Sequence, residues 1–176
     1  MRTKGETSMF SDEIHADAET LLALCRLRGL HIVSAESCTG GLIAGALTEI
    51  PGSSLVVDRG FVVYSNQAKQ QELAVPADLI NQHGAVSEQV ARTMASGALE
   101  HLGAAPAISI AVTGVAGPGG TKEKPEGLVH MAIAHSPSRQ TLHECHEFGA
   151  IGRSSVRRAT VLAALRLAIK CLENAP

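Results

Sequence analysis

The 176-residue chain carries 15 lysines and arginines against 17 aspartates and glutamates, a net charge of −2. This balance argues against a broad electrostatic contact with nucleic acid, and three Phe, one Tyr and no Trp leave too few aromatic side chains for base stacking. A hydrophobic fraction of 45% predicts a compact core, while no apolar run approaches the roughly 18 residues that would span a membrane.

Hydrophobic periodicity predicts helices that alternate with apolar strands. We expect a flexible tail over residues 1–11 and a single domain over residues 12–176. In chain order the pattern predicts a helix over 12–28, a strand over 30–35, a helix over 41–50, a buried β run over 55–64, short helices over 67–73 and 76–82, a helix over 87–102, a strand over 107–113, a hairpin of 127–134 with 140–148, and a helix over 156–172. Gly60 is expected to bend or bulge the β run. Together these elements predict a three-layer α/β/α sandwich with a mixed, mostly parallel sheet.

The cysteines and histidines indicate neither disulfides nor a metal site. The four cysteines are far apart and form no C-x-x-C pair: Cys25, Cys38, Cys145 and Cys171. We therefore expect reduced thiols in a cytoplasmic protein, three of them in the core, and the polar start of the chain does not resemble a signal peptide. The eight histidines show no zinc spacing, so no metal is expected.

The densest chemical signal is the segment Ala35–Gly41, Ala-Glu-Ser-Cys-Thr-Gly-Gly, at a predicted junction of strand and helix. Free backbone N–H groups at such a junction suit an oxyanion or a phosphate, although an N-cap with a tight turn explains the pattern equally well. Ser37 offers a nucleophile that needs a neighbouring base, whereas the helix end alone could activate Cys38.

Lysine is the alternative base, because no histidine lies in a distinctive setting. Lys69 follows Tyr64 after the predicted β run, where α/β folds gather reactive groups. For a lysine to act as a base near neutral pH, its surroundings must destabilise the charged amine by about 4 to 5 kcal/mol. This requires a closed pocket. Without further information, a surface cation is the favoured interpretation of Lys69.

A third cluster, Thr113–Thr121, follows the strand predicted over 107–113. It is not a Walker A loop, because Gly120 stands where that motif needs lysine, and Lys122 stands where a dinucleotide motif needs its last glycine. Consecutive N–H groups could still form an anion-binding nest, with a mobile surface loop as the alternative.

In their order and spacing, these segments resemble the CinA C-terminal domain family from about residue 30 to the last helix. The matching motifs are Ala35–Gly41, Gly60-Phe61, Tyr64-Ser65-Asn66 with Lys69, Gly84–Ser87, Thr113-Gly114, Ala116-Gly117-Pro118, Lys124-Pro125 and Gly127. The resemblance implies an amidohydrolase that converts nicotinamide mononucleotide into nicotinic acid mononucleotide and ammonia, without metal or cofactor. It also implies a stand-alone version of the domain.

Carried over to this chain, the resemblance implies that Ser37 is the nucleophile, Lys69 the general base and Tyr64 an assisting group. N–H groups near Thr39 and Gly40 would hold the oxyanion, and the 113–121 loop would receive the phosphate. The expected substrate-binding residues are Thr39, Gly40, Gly41, Thr113, Gly114, Gly117, Gly119, Gly120 and Arg153.

Two positions differ from the family's usual pattern. Glu126 stands where a small apolar residue is usual, and Gly152 stands where an acidic residue usually precedes the arginine aligned with Arg153. These differences motivate one alternative, a nucleotide-binding protein without catalysis. A hydrolase that depends on Cys38 is another, and the apolar helices leave a homo-oligomer open.

Overall fold

The computed structural model describes residues 9–136 and 140–174, and within them five strands form one sheet. The strands are β1 (His31–Glu36), β2 (Val57–Val62), β3 (Ala107–Gly114), β4 (Leu128–His135) and β5 (Gln140–Glu147). The helices are α1 (Asp12–Arg28), α2 (Leu42–Thr48), α3 (Asn66–Leu73), α4 (Ala77–His83), α5 (Glu88–Glu100) and α6 (Arg153–Glu173).

The strand order is β2-β1-β3-β4-β5. β1 pairs in parallel with both β2 and β3, whereas β4 pairs antiparallel with β3 and β5. Among the described strands, β4 alone runs against the others, which confirms the mixed, mostly parallel sheet and its terminal hairpin.

Helices cover both faces of the sheet and complete the predicted three layers. On one face, Ile, Val and Met side chains of the strands pack against α1, α2 and α6. On the other face the strands present mostly alanines, against which α5 packs with α3 and α4. Both layers are held by burial of apolar surface, which is the dominant favourable contribution to folding.

The helix ends follow the local sequence. Ser11, Ser65 and Ser87 cap α1, α3 and α5 with their hydroxyls, and Gly29 ends α1 in the left-handed conformation. Most of the predicted tail lies outside the described residues, but Phe10 packs against the core. Among the described residues, no helix is both long and apolar enough to cross a bilayer.

The β run predicted over 55–64 needs correction. It begins at Val57, after a 3₁₀ turn over Ser53–Leu55, and is a mostly exposed edge strand rather than a buried one. The register against β1 skips Asp58, so the irregularity lies there and not at Gly60, which pairs with Ser34. Gly60 is instead a close-packing position, because a Cβ there would lie 2.8 Å from the Ser34 hydroxyl.

Candidate active site

The carboxyl ends of β2, β1 and β3 lie side by side, and the loops that follow them enclose a cavity of about 210 Å³. The chain moves outward from β1 to β2 and then crosses back to β3, so the cavity lies at the topological switch point where α/β proteins commonly bind ligands. The residues that line it are Ser37, Cys38, Tyr64, Asn66, Lys69, Ala85, Val86, Thr113, Gly114, Ala116 and Arg153.

Lys69 reaches Ser37 inside this cavity. Its side chain is only 1% exposed, and its Nζ lies 3.1 Å from the Ser37 Oγ. The same nitrogen lies 2.8 Å from the carbonyl oxygen of Val63 and 3.3 Å from that of Tyr64. The interpretation of Lys69 as a surface cation is therefore wrong, and the two residues meet because α3 begins directly after β2.

The surroundings of Lys69 lower the pKa of its amine. Loss of hydration lowers the pKa of the Lys69 amine, and the charge of the nearby Cys38 raises it by a smaller amount. Among the described residues, no carboxylate pairs with Lys69. A neutral amine has two N–H groups for the carbonyls of Val63 and Tyr64, which can only accept. Its lone pair then remains for the Ser37 hydroxyl proton.

The side chain of Glu36 fixes the serine turn, residues 37–41. This carboxylate is fully buried and accepts hydrogen bonds from the amides of Gly41, Ile43 and Ala44 at 2.8 to 3.0 Å. The Ser34 hydroxyl donates to it as well, at 3.2 Å. The N-terminus of α2 is thus occupied by the protein's own carboxylate, and the Gly41 amide already has an acceptor there.

Gly40 also differs from expectation. Its amide donates to the Ser37 carbonyl at 3.2 Å, so it is not a free donor for an oxyanion. The Thr39 amide has no acceptor among the described residues, although Thr39 is fully buried and does not line the cavity. Arg157, which the sequence analysis did not select, donates from Nη2 to the Thr39 carbonyl at 2.7 Å and ties the turn to α6.

Cys38 is buried beside Ser37, with 4% of its surface exposed. Burial raises the pKa of its thiol to about 11, so the thiol is protonated near neutral pH. The helix end that could have lowered this pKa is already neutralised by Glu36. The geometry therefore disfavours Cys38 as the nucleophile.

Tyr64 and Arg153 lie at the mouth of the cavity. The Tyr64 ring is 61% exposed, and its hydroxyl accepts a hydrogen bond from the Arg153 Nη2 at 3.0 Å. The Arg153 Nη1 donates to the Gly117 carbonyl at 2.8 Å. Arg153 thus joins two loops and keeps a positive charge at the entrance.

Thr113 and Gly114 line the cavity as expected, but the Thr113 hydroxyl already donates to the Ala85 carbonyl at 2.8 Å. Gly117, Gly119 and Gly120 do not line it; they belong to the glycine loop, residues 115–126. In this loop the Gly119 amide donates to the Glu126 Oε2 at 3.0 Å. One amide of the predicted phosphate nest thus already binds a carboxylate of the chain itself.

Sequence reasoning also missed Asn66, Ala85 and Val86 as lining residues. Asn66 lies two residues after Tyr64 and could have been inferred from it. Arg157 follows Arg153 by one helical turn, but nothing in its local pattern indicated a contact with the serine turn.

No group of three or more His, Cys, Asp or Glu side chains in the described ranges is placed to hold a metal ion. His130 and His143 contact each other across β4 and β5, with 3.1 Å between Nδ1 and Nε2. Three of the cysteines are buried, as predicted, and Cys145 is exposed.

Comparison with known proteins places this arrangement in a family. Residues 15–172 match the model of the CinA C-terminal domain. A CinA-like protein of Parasynechococcus marenigrum is 49% identical over 150 residues, 84% of this chain and 35% of that protein. A CinA-like protein of Anaeromyxobacter dehalogenans is 45% identical over 150 residues, 85% of this chain and 36% of that protein. The chain thus spans about a third of the length of these relatives.

Solved structures agree with this match. The competence/damage inducible protein CihA of Agrobacterium tumefaciens is 47% identical, with a TM-score of 0.89 over 96% of this chain and 100% of that one. The competence damage-inducible protein A of Klebsiella pneumoniae is 34% identical, with a TM-score of 0.85 over 93% of this chain and 99% of that one. From the family model, the identities and the shared structure, this chain belongs to the CinA C-terminal domain family.

Proposed function

We propose that the chain is an amidohydrolase that releases ammonia from nicotinamide mononucleotide and leaves nicotinic acid mononucleotide, with Ser37 as nucleophile and Lys69 as general base. The observation that carries the proposal is the 3.1 Å contact between the Ser37 Oγ and the buried Lys69 Nζ in a cavity. A nucleophile within hydrogen-bond reach of a base is the arrangement that acyl transfer needs.

In the first half of the reaction, neutral Lys69 takes the proton of the Ser37 hydroxyl as Oγ attacks the carboxamide carbon. The carbonyl π electrons move to oxygen and form a tetrahedral oxyanion. The Lys69 ammonium then protonates the nitrogen, the C–N bond breaks, and ammonia leaves an ester on Ser37.

In the second half, Lys69 takes a proton from water, and the hydroxide attacks the ester carbon. The bond from carbon to the Ser37 Oγ breaks, and the serine recovers its proton from Lys69. The carbonyls of Val63 and Tyr64 keep the amine directed at Ser37 throughout.

The oxyanion would be held by backbone amides of the serine turn, of which Ser37 and Cys38 line the cavity. A cavity of about 210 Å³ is smaller than the roughly 300 Å³ or more that holds a drug-sized ligand. It therefore suits the carboxamide-bearing ring, with ribose and phosphate extending toward Tyr64 and Arg153 at the mouth.

The pH dependence has a definite sign. Because burial lowers the pKa of Lys69 in the folded protein, kcat/KM rises with pH through that pKa and levels off above it. The unfolded chain binds the Lys69 proton more tightly than the folded one, so the free energy of unfolding also rises with pH between the folded and unfolded pKa values. Lys69→Met should remove both rises.

The test is release of ammonia from nicotinamide mononucleotide by the wild type, Ser37→Ala and Lys69→Met. Both substitutions should lower kcat by about 10³-fold or more, because each removes a group that acts in the chemical step. Lys170→Met is the matched control, since Lys170 pairs with Glu144 on the surface, away from the cavity.

Cys38→Ala distinguishes the rival nucleophile. Activity that survives Ser37→Ala and disappears in Cys38→Ala would show that Cys38 is the nucleophile. Saturable nucleotide binding by the wild type without ammonia would instead indicate a binding protein.

A further inference from the structure

Arg157, in the first turns of α6, reaches the serine turn without lining the active-site cavity. Its Nη2 donates to the Thr39 carbonyl at 2.7 Å, and a Cβ added at Gly40 would lie 3.4 Å from the same nitrogen. The guanidinium therefore lies against the peptide group that joins Thr39 to Gly40. Arg157 lines a different cavity, of about 190 Å³, together with Arg158. Any effect of Arg157 on the reaction must therefore pass through the serine turn.

No ion pair neutralises the charge of Arg157. Among the described residues no carboxylate pairs with it, and its Nε is buried without a hydrogen-bond partner. The Thr39 hydroxyl is buried without a partner as well. Partial burial of a guanidinium that has no ion pair contributes little to stability or opposes it. This indicates that Arg157 serves the turn that it contacts rather than the stability of the fold.

Two hydrogen bonds connect this guanidinium to the peptide group beside the nucleophile. The Thr39 carbonyl, which accepts from Arg157, shares a peptide group with the Gly40 amide, and that amide donates to the Ser37 carbonyl at 3.2 Å. The Ser37 carbonyl in turn shares a peptide group with the Cys38 amide. Consecutive hydrogen bonds polarise one another, so a positive charge at one end strengthens the donor at the other end.

The last donor of this chain is the Cys38 amide, which has no oxygen acceptor among the described residues. Cys38 directly follows Ser37 and lines the active-site cavity. The amide after a nucleophile is a common oxyanion donor in hydrolases. Burial raises the pKa of the Cys38 thiol to about 11, and the charge of Arg157 is among the influences that lower it. The electrostatic effect of Arg157 thus extends to this part of the cavity and favours negative charge there.

We propose that Arg157 is a positioning residue of the reaction, which orders the serine turn and, through the peptide groups of Gly40 and Cys38, strengthens the amide that holds the oxyanion. The ordering of the turn stands on its geometry alone. The effect on the reaction rests on the proposed amidase function.

The first experiment measures hydrogen exchange of the Gly40 amide by NMR in the full chain, for the wild type, Arg157→Met and Arg158→Met. We expect this amide to exchange about tenfold faster in Arg157→Met, because the turn loses the donor that holds the Thr39 carbonyl. The amides of β3 should keep their exchange rates.

Arg158→Met is the matched control, because it removes the same charge from the adjacent, exposed residue of α6, which lines the same second cavity. Its Gly40 amide should exchange within about twofold of the wild-type rate. Equal rates in the wild type and Arg157→Met would overturn the ordering of the turn. An equal acceleration of the β3 amides would do so too, since it would show a general loss of stability.

The second experiment measures ammonia release from nicotinamide mononucleotide at a temperature at which all variants are folded. We expect kcat to fall about 10- to 100-fold in Arg157→Met while KM stays within about twofold, because Arg157 lies outside the active-site cavity. Arg157→Lys keeps the charge without the planar guanidinium, and its loss in kcat should be smaller. Arg158→Met should leave both constants unchanged.

A merely structural Arg157 would leave kcat of the folded protein unchanged. A kcat of Arg157→Met equal to that of Arg158→Met, or a loss confined to KM, would therefore overturn the role in the reaction. If the wild type releases no ammonia, the proposed function fails and the role in the reaction fails with it, while exchange of the Gly40 amide still decides whether Arg157 orders the turn.

Discussion

The serine turn and the glycine loop occupy equivalent places in the fold but hold their carboxylates differently. Each follows one of the neighbouring parallel strands β1 and β3, and each contains glycines with positive φ. The amides of both regions bind a glutamate of the chain itself. Glu36 is fully buried with four donors, whereas Glu126 is partly exposed and accepts from Gly119.

The two carboxylates differ in how strongly the protein depends on them. Removing Glu36 would leave the buried amide of Ile43 and the partly buried amides of Gly41 and Ala44 without an acceptor, which is costly in a low-dielectric interior. Water can replace Glu126 as the acceptor of the exposed Gly119 amide. The serine turn is thus a firmly held support for the nucleophile, whereas the glycine loop is held by Glu126 through an exposed hydrogen bond.

The largest expected effect concerns Glu36. Glu36→Ala should lower the free energy of unfolding by about 3 to 5 kcal/mol, because the buried amide of Ile43 and the partly buried amides of Gly41 and Ala44 each lose an acceptor worth about 1 to 3 kcal/mol. Glu126→Ala should cost about 1 kcal/mol or less. Urea denaturation of both variants measures the contrast.

Glu36→Gln serves as the conservative control. Its NH₂ group would face amide donors, so we expect a loss smaller than that of Glu36→Ala but larger than that of Glu126→Ala. Similar costs for Glu36→Ala and Glu126→Ala would show that the two carboxylates are equivalent, against the distinction drawn from their burial.

An intermediate effect is expected at Gly117. Gly117→Ala should cost about 2 to 3 kcal/mol, because the new Cβ meets Glu126 and the backbone has a positive φ. Gly119→Ala, at φ +86° with nothing within 4 Å of the added Cβ, should show the backbone cost alone.

A double-mutant cycle isolates the contact between Gly117 and Glu126. In the Glu126→Ala background, Gly117→Ala should cost about 1 kcal/mol less than in the wild type. Strictly additive costs would mean that Glu126 does not lie against Gly117 in solution.

The smallest effect is expected at Tyr64, whose exposed hydroxyl binds Arg153 across the cavity mouth. Tyr64→Phe should change the free energy of unfolding by no more than about 0.5 kcal/mol, since exposed hydrogen bonds contribute little. Thermal unfolding measures it. A loss above 1 kcal/mol would indicate that the link from the glycine loop through Arg153 to Tyr64 supports the fold.

The element pattern was predictable because it depends on short-range sequence. Ser87 was expected to cap α5 and does so, and α1 ends at Gly29 as expected. For the β run, the predicted start and the predicted burial were wrong. The position of a strand in the sheet, and hence its burial, depends on neighbours distant in sequence. Ser37 and Lys69 could be proposed from the family resemblance, but the residues alone favoured a surface lysine.

The sequence by itself determined the layered α/β fold, the family and the identity of the candidate reacting groups, because periodicity and motif spacing are carried by residues close along the chain. Only the tertiary structure decided which amides were free. Glu36 and Glu126 lie five and seven residues from glycines that they contact, and whether a carboxylate meets an amide over that span depends on how the intervening backbone turns. The lowered pKa of Lys69 has the same origin, because loss of hydration arises only when separate parts of the chain close around the amine.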